Sequence, residues 1–247
     1  MTHRHRFFLS RDAFSGNQVL LKGQDGHQLR RVLRLKVGDL IEVLDGMGHN
    51  FLVALEKVEE EEIEGRIIEV RKDPEECSLA ITLAQVLPRF TKMDLIVQKA
   101  TELGVARIVP LVGDRTPFPK GAQAPRVERW QRIAKEAAEQ CRRITIPELE
   151  PIQNLLSFLD RLDVAGKRIL FWERETGGRL RKILKVSPAP SDYVLLVGPE
   201  GGFSDREAEK AVEKGYESVS LGARILRTES VALVALSLLQ YEKGNLG

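Results

Sequence analysis

The sequence changes its grammar near residue 72, and that change constrains the fold more than any single motif. Before it, apolar residues come in short runs separated by turns: Arg6-Phe7-Phe8-Leu9, Leu40 to Leu44, Phe51 to Leu55, and Glu61 to Val70 with Ile63, Ile67 and Ile68 apolar. The second and third runs flank Asp45-Gly46-Met47-Gly48, which is a hairpin signature. Gly26 to Arg34 predicts a short helix, with Leu29, Val32 and Leu33 on one side and Arg30, Arg31 and Arg34 on another. Short strands with such turns predict a small β-barrel. Lys72-Asp73-Pro74-Glu75-Glu76 is polar and contains a proline, and it reads as a domain boundary. Beyond it, strands (79–87, 107–112, 168–172, 193–197, 218–221) alternate with helices (91–103, 126–141, 204–214, 228–241). That alternation predicts an α/β domain whose parallel sheet is covered on both faces. The expected division is therefore residues 1–72 and 73–247.

A chain of 247 residues with 43% hydrophobic content can bury a real core. The net charge of +2 says little about partners, but its distribution says more. Residues 1–36 hold eight Lys/Arg against two Asp/Glu, whereas residues 37–72 hold four against ten. A basic face beside an acidic one is a polyanion footprint. Cys77 and Cys141 form neither a C-x-x-C pair nor a disulfide framework, which points to a reducing, cytoplasmic setting and to no bound metal. Phe7-Phe8-Leu9 is too short for a signal peptide, and Val231 to Leu239 falls short of the ~20 residues a membrane span needs.

Two junctions carry the chemistry. In Leu195-Leu196-Val197-Gly198-Pro199-Glu200-Gly201-Gly202-Phe203-Ser204 a buried strand runs into a glycine-rich loop and then a helix, and Ser204 with Glu207 makes a capping box. Parallel sheets bind ligands outside the carboxyl ends of their strands, and glycines let a ligand approach the backbone. The loop is neither a dinucleotide fingerprint nor a P-loop. Glu200 within it would repel a phosphate, so a nucleoside-like or cationic ligand fits better than a pyrophosphate. The plainer alternative is a structural turn. The second junction, Leu221-Gly222-Ala223-Arg224-Ile225-Leu226-Arg227-Thr228-Glu229-Ser230, again passes from a strand end through glycine into a helix. Thr228 is a candidate N-cap, and Glu229 suits the positive end of the helix dipole. The helix beyond is apolar nearly all round, as a helix buried on all sides or packed on a partner subunit would be.

Together these residues resemble the ribosomal RNA small subunit methyltransferase E family of the SPOUT superfamily, over essentially the whole chain. The resemblance rests on Arg6-Phe7-Phe8, His27 with Val32-Leu33-Arg34, Lys99 to Gly104, Glu139-Gln140, Gly198 to Ser204, and Leu221 to Glu229. It departs where Ser230-Val231 replace the usual Thr-Ala, and where Arg142-Arg143 replace a frequent Gly-Arg. The resemblance implies a PUA-like barrel in front of an α/β domain with a trefoil knot, a homodimer, S-adenosylmethionine as cofactor, and methylation of N3 of a uridine in 16S ribosomal RNA of the small subunit. Leu196, Val197, Gly198, Pro199, Glu200, Gly201, Gly202, Leu221, Gly222, Ile225, Leu226 and Thr228 would then line the cofactor pocket. Glu229 or Glu139 would serve as base, with Arg227 steadying negative charge on the acceptor. Arg11, His27, Arg30, Arg31 and Arg34 would meet RNA, the arginines on its phosphates. The rival readings are a non-catalytic RNA-binding assembly factor, a transfer-RNA methyltransferase, and a nicotinamide-dependent oxidoreductase, the last disfavoured by the missing fingerprint.

Overall fold

The computed structural model describes all residues except 1–3, 23–25, 27–32, 47, 60–61, 73–78, 90, 117–122, 162–165, 179, 186–189, 243–245 and 247. By its contacts the chain divides into two compact units, residues 1–76 with 138–146, and residues 77–137 with 147–247.

In the first unit, β1 (Arg6–Phe8), β2 (Phe14–Ser15), β3 (Gln18–Lys22), β4 (Leu40–Leu44), β5 (His49–Val58) and β6 (Glu62–Lys72) form one curled sheet in the order β1-β4-β5-β6-β3-β2. Only β1 and β4 pair in parallel. Alternation along the strands sends Phe7, Val19, Leu21, Ile41, Val43, Val53, Leu55 and Ile63 into a common core. The predicted hairpin is present: Leu44 pairs with Asn50, and Gly46 and Gly48 take the positive φ the turn requires. Register shifts at Leu52/Val53 and Leu55/Lys57 let β5 bend, which is how a sheet of this size curls.

Residues 138–146 join this unit by packing Ala138 and Ile144 on Phe8 and Leu44. Arg142 there has φ +66°, a left-handed conformation that costs a non-glycine residue roughly 1–2 kcal/mol. The Arg142 carbonyl accepts a bond of 2.7 Å from Arg6 Nη1. Of the predicted helix at 26–34, His27, Arg30 and Arg31 lie outside the described residues.

The second unit is the expected layered sheet. Its strands are β7 (Ala80–Val86), β8 (Arg107–Val112), β9 (Glu148–Leu149), β10 (Gln153–Asn154), β11 (Lys167–Phe171), β12 (Asp192–Val197) and β13 (Glu217–Val219). They run β10-β8-β7-β12-β11-β13, with β9 also on β8, and every pairing is parallel. The helices are α1 (Lys92–Glu102), α2 (Gln123–Cys141), α3 (Leu155–Leu159), α4 (Leu180–Leu184), α5 (Asp205–Glu213) and α6 (Thr228–Glu242). On one face Phe158 and Leu159 of α3 and Ala208 and Ala211 of α5 close on Val86, Val109, Leu170 and Leu196. On the other, α6 packs on α1, β7 and β12. The short elements β9, β10, α3 and α4 were not expected from the sequence. Asn154 starts α3 by accepting from the N–H groups of Leu156 and Ser157.

Strand order positions the site. β12 follows β7 and β11 in the chain yet inserts between them, and β11 in turn lies between β12 and β13. The carboxyl ends of three neighbouring strands therefore open side by side. Among the described residues no helix is long and apolar enough to cross a membrane.

Candidate cofactor site

A hollow of about 420 Å³ lies at those three strand ends. Its wall is Phe171, Trp172 and Glu173 from the exit of β11, Val197 to Gly202 from the exit of β12, and Val219 to Gly222 with Arg224 to Thr228 and Val231 from the exit of β13. That size suits a drug-sized small molecule.

The loop after β12 is braced from several sides. Ser204 Oγ accepts the Glu207 N–H at 3.3 Å, and Glu207 Oε2 accepts the Ser204 N–H at 2.8 Å, so the capping box read in the sequence is formed. The other Glu207 oxygen accepts the Asp114 N–H at 2.7 Å. Ser204 Oγ donates to Asp114 Oδ2, and Arg115 Nη1 donates to the Gly201 carbonyl at 2.7 Å. Glu200 accepts the Arg89 N–H at 3.1 Å and meets Lys92 Nζ at 2.9 Å. The same ammonium stands 3.3 Å from Glu229 Oε2, an oxygen shut off from solvent. Lys92 thus joins the start of α1, the β12 loop and the start of α6. Burial would push the Glu200 carboxyl up, but Lys92 and the backbone N–H groups outweigh it and hold it below its ordinary value. The ion pair with Glu200 in turn raises Lys92.

A buried polar thread ties the two glycine junctions together. Gln85 Nε2 donates to Thr228 Oγ1 at 2.9 Å, and Thr228 Oγ1 donates to the Gly198 carbonyl at 2.5 Å. Gln85 has no exposure, so these bonds form out of water, where leaving them unmade is costly. The exit of β11 is fixed as well. The Trp172 N–H donates to the Val219 carbonyl at 3.1 Å, and the Ser220 N–H to the Gly178 carbonyl at 2.9 Å. Glu175 accepts the N–H groups of Gly177 and Gly178, and these bonds, that from Gly178 first, hold its carboxyl low.

The structure brings most of the sequence-derived residues together. Val197, Gly198, Pro199, Glu200, Gly201, Gly202, Leu221, Gly222, Ile225, Leu226 and Thr228 all stand in the wall, and so does Arg227. Leu196 does not: strand alternation turns it into the core with Val194 and Leu170. Glu229 sits in the first turn of α6, beside the wall and not in it, held by Lys92. Glu139 belongs to the first unit, where its carboxylate accepts the Phe8 N–H at 2.9 Å. Arg11 lies exposed in a 3-10 turn (Arg11–Ala13), and Arg34 has φ +54°. Sequence reading missed Phe171 to Glu173, Arg224 and Lys92. Arg224 was visible inside the second motif, but the glycines after β11, Gly177 and Gly178, come only beyond the residues that line the hollow.

The hollow's chemistry decides what it can hold. Glu173 and Glu200 stand in its wall together with Arg224 and Arg227, and Glu200 is already paired with Lys92, so the wall offers complements to both signs of charge. A Cβ at Gly222 would project into open space, and Gly202, at φ +67°, leaves no room for one beside the Glu173 carboxylate. The wall is thus bare backbone and apolar side chains, with charge at a few points. An adenosyl sulfonium compound suits such a wall: a flat aromatic base, hydroxyl and amino groups for the bare backbone, and charge of both signs on its methionyl arm. Among the described residues no cluster of His, Cys, Asp or Glu could hold a metal ion.

A parallel α/β domain with a glycine-lined hollow at its strand ends, preceded by a curled β unit, defines a nucleoside-cofactor enzyme class. Comparison with known proteins narrows the class. Residues 75–240 match the RNA methyltransferase domain, and residues 21–68 the RNA methyltransferase PUA domain. The ribosomal RNA small subunit methyltransferase E of Synechocystis sp. is 38% identical over 214 residues, covering 85% of this chain and 69% of the relative. That of Bacillus subtilis is 31% identical, covering 90% and 89%. The crystal structure of the same enzyme from Neisseria gonorrhoeae, bound to S-adenosyl methionine, superposes with a TM-score of 0.87 at 32% identity, covering 97% of this chain and 98% of that one. The chain belongs to the ribosomal RNA small subunit methyltransferase E family.

Proposed function

We propose that this protein transfers the methyl group of S-adenosylmethionine to N3 of a uridine in 16S ribosomal RNA of the small subunit, acting in the cytoplasm. The carrying observation is the glycine-lined hollow at the ends of β12, β11 and β13, in a chain whose relatives are named ribosomal RNA small subunit methyltransferase E. When bound, the cofactor supplies an electrophilic methyl carbon. The chain's task is to hold the acceptor in line with it and to remove the imide proton.

In this reading the wall from Val197 to Gly202 and from Leu221 to Thr228 holds the adenosyl body against backbone. Glu229 takes the proton from N3. Lys92 keeps that carboxylate oriented, and Arg227, in the wall beside it in sequence, steadies the negative charge that develops on the uracil. Glu139 is the second candidate base, with its bond to Phe8 as a competing structural duty. Residues 1–72 serve as the PUA-like RNA-docking domain and 73–247 as the knotted methyltransferase domain. Arg11, His27, Arg30, Arg31 and Arg34 contribute to RNA binding, the arginines on phosphates, which makes binding salt-sensitive. Val234, Leu238 and Tyr241 make an exposed apolar stripe on α6 at helical spacing, and this supports a homodimer joined through that helix.

Mapping methylated nucleosides in 16S ribosomal RNA from cells with and without the gene tests the reaction. A missing N3-methyluridine in the deletion strain, restored by the wild-type gene, is the expected result. Glu229→Gln should fail to restore it and Glu139→Gln should restore it in part. Normal methylation by both variants would remove both carboxylates from the mechanism.

A further inference from the structure

The wall of the hollow contains two carboxylates in different situations. Glu200 is engaged by the Lys92 ammonium and by the Arg89 N–H. Glu173 is exposed and, among the described residues, has no ion pair or hydrogen bond of its own. Two cations of the surrounding loops are engaged elsewhere. Arg174 Nη1 lies 2.5 Å from Asp205 Oδ1, and Arg115 donates to the Gly201 carbonyl. The backbone that carries it is fixed, although the carboxylate itself is exposed. It lies against Gly202, so closely that a Cβ there would collide with it. The loop that carries it is fixed on both sides, by the Trp172 bond to Val219 and by the Glu175 turn. A carboxylate kept against the backbone of a ligand hollow, without a partner of its own, is an acceptor prepared for a cation that arrives with the ligand.

We propose that Glu173 binds the α-ammonium of the methionyl arm of the cofactor, and so makes the hollow select adenosyl compounds that carry an amino-acid arm. The inference rests on the reading of the hollow as an S-adenosylmethionine site. The methionyl arm carries an ammonium and a carboxylate, and the wall offers both complements: Glu173 from the β11 exit, Arg224 and Arg227 from the β13 exit. The sulfonium is the other positive centre of the cofactor, but it has no N–H to donate. An ammonium makes directional, charge-assisted bonds that repay a fixed acceptor, and a sulfonium does not.

Titration calorimetry with three ligands tests this. S-adenosylmethionine has both positive centres. S-adenosylhomocysteine keeps the ammonium and loses the sulfonium, and 5′-methylthioadenosine lacks the amino-acid arm altogether. Glu173→Gln should weaken the first two alike, by about ten- to a hundredfold, and leave the third unchanged. Glu173→Asp keeps the charge and should retain part of the preference for the first two. Equal weakening of all three would mean that Glu173 merely shapes the loop, and would overturn the proposal. Weakening of S-adenosylmethionine alone would assign the carboxylate to the sulfonium and overturn it too, as would no change at all. If the wild-type protein binds none of the three, the cofactor reading itself fails, and this inference with it. Unchanged thermal melting of both variants separates these outcomes from misfolding.

Discussion

The two glycine junctions share one hollow and are held in opposite ways. The first, from Gly198 to Ser204, is bonded on every side: by its capping box, by Arg115, by Arg89 and Lys92 on Glu200, and by Thr228 on Gly198. The second, from Leu221 to Arg227, has little beyond the Ser220 hydroxyl, which accepts the Gly222 N–H and donates to the Gly222 carbonyl. Ile225 in that loop is 83% exposed, unusual for a residue of its size and polarity. The contrast suggests a division of labour. We expect the first loop to act as a preformed seat and the second to gain its missing contacts from a ligand. Lower local stability is what a ligand-responsive element requires.

The largest effect should come from breaking the seat. Glu207 is 2% exposed, and its two carboxylate oxygens accept the N–H groups of Ser204 and Asp114. Glu207→Ala leaves both donors without their acceptor and removes half of a capping box. We expect a loss of roughly 2–4 kcal/mol in urea unfolding, from charged hydrogen bonds and the lost cap. A loss under about 0.5 kcal/mol, the level of an ordinary surface change, would show that the first junction is not the rigid partner.

Both junctions were legible in the sequence because their physics is local. In each, a strand end, a glycine and a helix start lie within about ten residues, with a capping box at the first, and backbone geometry of that kind is written in adjacent positions. The β11 exit was not legible. Phe171 to Glu173 reach the hollow only because β12 inserts on one side of β11 and β13 closes on the other, a non-local fact that no window of residues reveals. Lys92 was missed for the same reason, since its partners are more than a hundred residues away. The grouping of residues 138–146 with the first unit is similar: periodicity predicts the helix but not what its last turn packs against. Leu196 lies next to the motif, and strand alternation turns its side chain into the core.

Lys92 offers a second way to test the contrast, because it links the seat to the start of α6. Lys92→Met leaves Glu200 and Glu229 without their shared cation. Methyl transfer should fall by between about ten- and a hundredfold, as misplacement of an active group by about 1 Å does, and Lys92→Arg should recover part of it. The pair also has a pH signature. Glu200 lies below its ordinary value of 4.5, so its contribution is present above that value and is lost as the pH falls through the lowered one. Lys92 lies above 10.5, so its contribution is complete below that value and is lost as the pH rises through the raised one. Melting temperatures of wild type and Lys92→Met should therefore differ at neutral pH and converge in acid. A difference that persists unchanged at pH ~2, below the ordinary carboxylate range, would mean that Lys92 acts by packing and not by charge.

The smallest effect on the fold should come from the open junction. Ile225 touches little in the chain itself, so Ile225→Ser should change unfolding free energy by less than about 0.5 kcal/mol. If the loop closes on the ligand, the same substitution exposes a polar hydroxyl where an apolar side chain is to be buried, and burial of an isoleucine contributes about 1.5–3 kcal/mol. Affinity for S-adenosylmethionine should then fall by about tenfold or more while the melting temperature of the free protein stays put. The reverse pattern, a destabilised protein with normal affinity, would make the second junction a structural element like the first and dissolve the division of labour between them.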